Sequence, residues 1–285
     1  MKIISAAYVS HYVEQRGGSF YKSDWLLTRT LRDILFPEYE FIIYTDQESR
    51  NFQYYDFSIF DKPNVKLVDF DLDSFPLLSK FEELRKKHVE TGDVFGDRIV
   101  CIDRYAKIVH NKKNFLLNSI TDDNETYVWL DAGLFGTSCA NEWRDKMVEI
   151  CHTKNFLDKV KEKAEQHDAF FITGPASMIS YEIPQIYSKI LPEGFEGFSV
   201  SGAMFGGKGH VLKKILADYE YFFSYFLDQE RLQSEQDIFI GIIEKYKDIV
   251  YRYKYDHWGD LQKVFLKILD VYDESKYQHD KLYDL

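Results

Sequence analysis

Cysteine is scarce, three residues in 285, and Cys101, Cys139 and Cys151 are odd in number and unevenly spaced. That excludes a disulfide framework and a paired-thiolate zinc site, and leaves reduced, partly buried thiols of a cytoplasmic protein as the expectation. Positive charge is also short: 36 Lys and Arg stand against 47 Asp and Glu, a formal net charge of −11. A general nucleic-acid binder carries a basic field, so no nucleic-acid partner is expected, although a local basic pocket for a diphosphate is compatible with this balance. No apolar run approaches the length of a bilayer span. The first one stops at Ser10-His11, and no secretory leader is expected. Internal repeats, Pro/Ser-rich linkers and low-complexity blocks are absent too. One continuous domain over residues 1–270 is expected, followed by a polar tail, 271–285. Neither Gly-x-Gly-x-x-Gly nor a P-loop occurs, which sets aside dinucleotide and ATP binding.

What the chain does have is apolar and aromatic mass, 45% and 17% of its residues, enough for a sizeable core. Ile3 to Val9 reads as a short buried strand, Glu40 to Tyr44 as a second and Val65 to Phe70 as a third. Helical spacing predicts helices over Tyr21 to Phe36 and Pro76 to His88, and one long amphipathic helix from Arg98 to about Ile120. Tyr127 to Leu130 is an apolar strand delivering Asp131 at its C-terminal end. A charged helix is expected around Glu142 to Glu165, a strand at Ala169 to Thr173, and a glycine-rich segment, Gly194 to Gly209, enclosing the strand Phe198 to Phe205. Helices near Val211 and Glu235 and a strand from Ile249 to Tyr255 complete the pattern. Strands alternating with helices predict an α/β fold whose mostly parallel central sheet is flanked by helices on both faces.

In such sheets ligands bind in the crevice outside the carboxyl ends of the strands. Asp131 occupies such a position, and Ala132-Gly133 behind it lets backbone approach a ligand closely. The competing reading of a lone strand-end Asp is a helix cap or turn. Gln233-Ser234-Glu235-Gln236-Asp237 has a structural reading of its own, in which Ser234 caps a helix and Asp237 makes the reciprocal bond.

Trp129-Leu130-Asp131-Ala132-Gly133 resembles the strand-end aspartate motif of GT-A glycosyltransferases, usually written Asp-x-Asp. The chain is similar in particular to the bacterial HtrL/YibB group associated with lipopolysaccharide biosynthesis, where the motif reads Asp-Ala-Gly. The likeness runs through the first strand and its loop, the helix before the motif, the glycine-rich middle and the acidic helix start. It implies a GT-A-like (Rossmann-like) single domain that transfers a sugar from a nucleotide diphosphate donor, a UDP-sugar, to a hydroxyl of a surface glycan. Lipopolysaccharide, O-antigen or capsule would be the product, made in the cytoplasm at the inner face of the membrane on a glycan or lipid-linked glycan, with peripheral membrane association. The alternative is a non-catalytic glycan-binding or assembly protein on the same fold.

The resemblance also implies residue roles. Asp131 would anchor the donor, directly or through a divalent Mn²⁺ or Mg²⁺, with His257 in Tyr255-Asp256-His257-Trp258-Gly259 as a second ligand and Asp256 as its competitor. Gly133 stands where the motif usually has its second carboxylate. Tyr8 would stack on the base, the alternative being a core position, and Arg16 would face a phosphate. Arg104 and Lys107, one turn apart, would meet the diphosphate unless they are merely solvated or, for Lys107, paired with Asp103. Ser201 and Gly202, in Ser199-Val200-Ser201-Gly202-Ala203-Met204-Phe205-Gly206-Gly207, would line the sugar. Asp237 first, and Glu235 second, would act on the acceptor hydroxyl.

Overall fold

Period-two alternation of large apolar residues gives each central strand two buried faces, and the strands join into one sheet. The computed structural model describes residues 1–8, 35–52, 56–91, 103–132, 149–175, 182–191, 195, 197–255 and 261–270, with backbone alone for 89, 91, 103, 182 and 261–263. The predicted helix over 21–34, the loop with Arg16, Gly133, Cys101, Cys139, Asp256, His257 and the tail 271–285 lie outside the described residues.

The strands are β1 (Lys2–Ala6), β2 (Glu40–Thr45), β3 (Val65–Asp69), β4 (Thr126–Leu130), β5 (Ala169–Pro175), β6 (Phe198–Lys208) and β7 (Val250–Lys254). Among the described residues they form a seven-stranded sheet in the order β3-β2-β1-β4-β6-β5-β7. All pairings are parallel except those of β6, which runs against both β4 and β5. The sheet is thus mostly parallel, as expected, with one reversed strand that the sequence reading did not foresee.

The helices are α1 (Gln47–Arg50), α2 (Leu77–Thr91), α3 (Asp103–His110), α4 (Lys112–Ser119), α5 (Phe156–His167), α6 (Glu182–Ile190), α7 (Gly209–Leu216), α8 (Tyr219–Asp228), α9 (Glu235–Lys245) and α10 (Leu261–Ile268). One face of the sheet, carrying Ile4, Tyr44, Trp129 and Phe171, packs against α2, α4 and α6 to α9. The other, carrying Ile3, Ile43, Val128 and Phe170, packs against α5 and α10. Cys151 is buried. Among the described residues no helix is long and apolar enough to cross a membrane.

Two expectations need correction. The strand expected to end at Phe205 runs on through Gly206-Gly207: a Cβ on Gly206 would lie 2.5 Å from the Tyr127 carbonyl oxygen, so glycine lets β6 lie close against β4. The long helix before Asp131 is two helices broken at Asn111. The Asn111 side-chain amide donates to the Lys107 and Leu72 carbonyls, both at 2.9 Å. It competes for a carbonyl that its own helix would use, and it ties the break to the turn after β3.

His110 ends α3 fully buried, its Nδ1 2.8 Å from the Tyr219 hydroxyl and its ring stacked on Phe223 at 4.3 Å. Burial, with the charge of Lys112 adding to it, pushes the imidazole down to about 3. The native ring therefore stays neutral where the unfolded chain, with a pKa near 6.5, takes up a proton. Stability should fall as pH drops below about 6.5, by about 2 kcal/mol from this group at pH 5. Urea denaturation of the wild type and His110→Phe between pH 7 and 5 checks it; the variant, whatever its absolute stability, should lose that part of the slope.

Candidate active site

The chain runs outward from β1 to β2 and β3, then returns to lay β4 on the other side of β1. That reversal opens a crevice at the carboxyl ends of β1 and β4. Asp131 sits at its edge, one residue past β4, and its amide donates to the Ala203 carbonyl at 2.8 Å, continuing the β4–β6 ladder. Ser5 Oγ donates to the Leu130 carbonyl at 2.6 Å, pinning the same strand end from β1. The Asp131 carboxylate is one-third exposed, 33% by side chain. Its Oδ1 accepts from Trp129 Nε1 at 2.8 Å. Ala132 after it is in a turn, and the residues from Gly133 on lie outside the described ones.

A lysine that sequence reasoning missed meets Asp131. Lys112, the first residue of α4, places Nζ 3.0 Å from Asp131 Oδ1, 2.9 Å from Glu235 Oε1 and 3.1 Å from the Gly202 carbonyl oxygen. Nζ also lies 5.6 Å from the centre of the Trp129 ring. Lys112 and Glu235 side chains are each 4% exposed. Burial opposes the ammonium's charge, but the Asp131 and Glu235 carboxylates outweigh it and hold the pKa above the ordinary lysine value.

The Gly202 carbonyl is available because β6 breaks step with β5. Phe171 pairs with Phe205, but the next β5 residue, Ile172, pairs with Ser201, leaving residues 202–204 without a β5 partner. Gly202 leaves the cluster its room: a Cβ there would lie 2.4 Å from Glu235 Oε1 and 3.0 Å from Lys112 Nζ, so one of those side chains would have to shift. Ser201 is buried in the same strand, its hydroxyl accepting from the Ala203 amide at 3.4 Å.

The predicted acidic helix start is present, with its two carboxylates in different roles. Ser234 and Asp237 form a capping box at the start of α9, Asp237 Oδ2 accepting from the Ser234 amide at 3.2 Å and hydroxyl at 3.1 Å. Asp237 is half-buried, whereas Glu235 points inward to Lys112.

The remaining predicted residues that are described, Tyr8, Arg104 and Lys107, make their contacts outside this cluster. Tyr8 takes its core alternative: it is 2% exposed, stacks on Phe115 with ring centres 5.9 Å apart, and donates to the Phe70 carbonyl at 3.2 Å. Its face is against the core, which corrects the stacking role. Arg104 pairs with Asp46 and, at 2.8 Å, Glu48. Lys107 Nζ lies 2.8 Å from Asp73 Oδ1. Arg104 lines an open cavity of about 540 Å³ at the carboxyl ends of β2 and β3, with Asp46, Asp69 and Asp71 among its walls.

The described residues around Asp131 do not by themselves form a divalent-cation site, and His257 and Asp256 lie outside them. Among the described residues no group of three or more His, Cys, Asp and Glu side chains is arranged to hold one. The oxygens around Asp131 converge on an ammonium instead.

Lys112→Met should destabilise the fold by about 3–5 kcal/mol, because it strands the buried Glu235 charge, whereas Lys112→Met with Glu235→Met should recover most of that loss. Urea midpoints of the wild type, both single variants and the double variant measure the coupling.

No protein-family model matches the chain, and no curated protein matches it. Among solved structures it is similar to the galactosyltransferase LgtC in complex with donor and acceptor sugar analogues, with 10% identity over 88% of this chain and 73% of that one and a TM-score of 0.45. It is similar also to the apo form of mouse xyloside xylosyltransferase 1, with 11% identity over 94% of both chains and a TM-score of 0.40. Likeness at this level carries nothing about the chemistry of the site.

Proposed function

We propose that this protein is a nucleotide-sugar-dependent glycosyltransferase of GT-A type whose donor site is the crevice at the ends of β1 and β4. The observation that carries the reading is Asp131: a part-exposed carboxylate at the sheet's topological switch, held by Trp129 and Lys112. The resemblance of Trp129 to Gly133 to the strand-end aspartate motif supports it. Asp131 accepts hydrogen bonds from hydroxyls of the donor, and the strand at Ser201 and Gly202 walls the sugar. The nucleotide lies toward the cavity beside Arg104, whose guanidinium offsets diphosphate charge.

The donor in this reading is a UDP-sugar and the acceptor a hydroxyl of a bacterial surface glycan. Asp237, half-buried at the α9 start, acts on that hydroxyl, since Glu235 is held by Lys112. A non-catalytic glycan-binding protein is the second reading. It is favoured by one observation, that the Asp237 carboxylate is already engaged in its helix cap.

Asp131→Asn separates the two. Incubation of the purified protein with a panel of UDP-sugars should give donor hydrolysis in the wild type, and the variant should lose it by about a hundredfold or more, as misplacement of a donor costs. Donor binding without turnover in the wild type would favour the second reading, and absence of any donor binding would sink the first.

A further inference from the structure

Resting on the donor-site reading, we propose that the Lys112 ammonium is the resident cation of this site, standing where a divalent ion would otherwise bridge Asp131 and Glu235. The donor set is that of an ammonium. Three groups, one for each of its N–H donors, surround Nζ: Glu235 Oε1 at 2.9 Å, the Asp131 carboxylate with Oδ1 at 3.0 Å and Oδ2 at 3.3 Å, and the Gly202 carbonyl at 3.1 Å. Oxygens bound to Mg²⁺ or Ca²⁺ sit closer, at about 2.0–2.6 Å. A hard dication brought to Asp131 would stand beside a buried positive charge that cannot swing away into solvent.

The surroundings are built for that charge. Trp129 Nε1 donates to Asp131 Oδ1 at 2.8 Å and the ammonium to Oδ2 at 3.3 Å, so both carboxylate oxygens already have a donor. Gly202 leaves room for the carboxylate and ammonium to meet the strand, and a Cβ would close that space. With one positive and two negative charges, the cluster keeps a net charge of −1, carried toward solvent by Asp131. Lys112 acts through Asp131 as a positioning residue: it holds the carboxylate at the mouth of the crevice without offering a Lewis-acid centre.

The assignment predicts a latent metal site. Removing the ammonium leaves Asp131, Glu235 and the Gly202 carbonyl converging on an empty, water-sized space. Mn²⁺ binding to the purified full-length protein, read by the electron paramagnetic resonance of free Mn²⁺ and by thermal melting with and without Mn²⁺, tests it. The wild type should show no Mn²⁺ binding that depends on Asp131. Lys112→Ala should bind Mn²⁺ at least about tenfold more tightly and melt higher when Mn²⁺ is added, and Asp131→Asn in that background should abolish both effects. Should Lys112→Ala fail to fold in the absence of metal, recovery of folding on Mn²⁺ addition would support the assignment, and failure to recover would count against it. Lys112→Arg, which keeps the charge, should bind none. Mn²⁺ binding by the wild type that Asp131→Asn removes would overturn the proposal, as would a folded Lys112→Ala no better than wild type. The readout is metal binding alone, so it is separate from the donor assay that decides the transferase reading.

Discussion

A lysine ammonium enclosed by two carboxylates and a backbone carbonyl organises the carboxyl-end face of this sheet. Withdrawn from water, the charge of Lys112 is stable only while all of its partners stay in place. Those partners come from different parts of the chain: Asp131 from the end of β4, Gly202 from the middle of β6, and Glu235 from the first turn of α9. One buried cation therefore ties the return strand, the reversed strand and the acidic helix start into a single rigid floor. It also orients the exposed part of Asp131, the group on which the functional reading depends.

The backbone serves the same constraint. The step in register between β5 and β6 leaves residues 202–204 free of β5, and their carbonyls turn to the Asp131 amide and the Lys112 ammonium. Asn111 breaks the preceding helix one residue before Lys112, drawing its amide to the turn after β3. Irregular backbone in both places coincides with the polar cluster, and regular sheet surrounds it. Local strand and helix rules are broken where a tertiary contact is worth more than the bond given up.

Charge on the other side of the crevice is arranged differently. Arg104 and Lys107 are paired with carboxylates on the segments following β2 and β3, and the open cavity there is acidic as well as basic. Ion pairs at this degree of exposure are weak and exchangeable. An incoming anion can replace a carboxylate partner of Arg104 at little cost. The buried Lys112 pair admits no such exchange. The two cationic centres thus differ in kind: one is buried and structural to the site, the other part-exposed and paired at the wall of an open cavity.

What the sequence determined by itself was whatever local physics decides. Alternating apolar residues set the strands, and the run Tyr127 to Leu130 followed by Asp131 announced a carboxylate at a strand end. Ser234 with Asp237 announced its own cap because four consecutive residues suffice to build it. Lys112 carried a faint signal that went unread: it lies three residues after Val109 and four before Leu116, an apolar position of the helix pattern filled by a lysine. Its partners could not be read, since Glu235 is 123 residues away and Gly202 is 90. The reversed direction of β6 and its register step likewise depend on which strands become neighbours. Tyr8 shows the same limit, because a strand-end aromatic faces core or crevice according to what packs over it, here Phe115. Only the tertiary structure decided these points, because desolvation and charge pairing act between groups that the chain brings together only once it has folded.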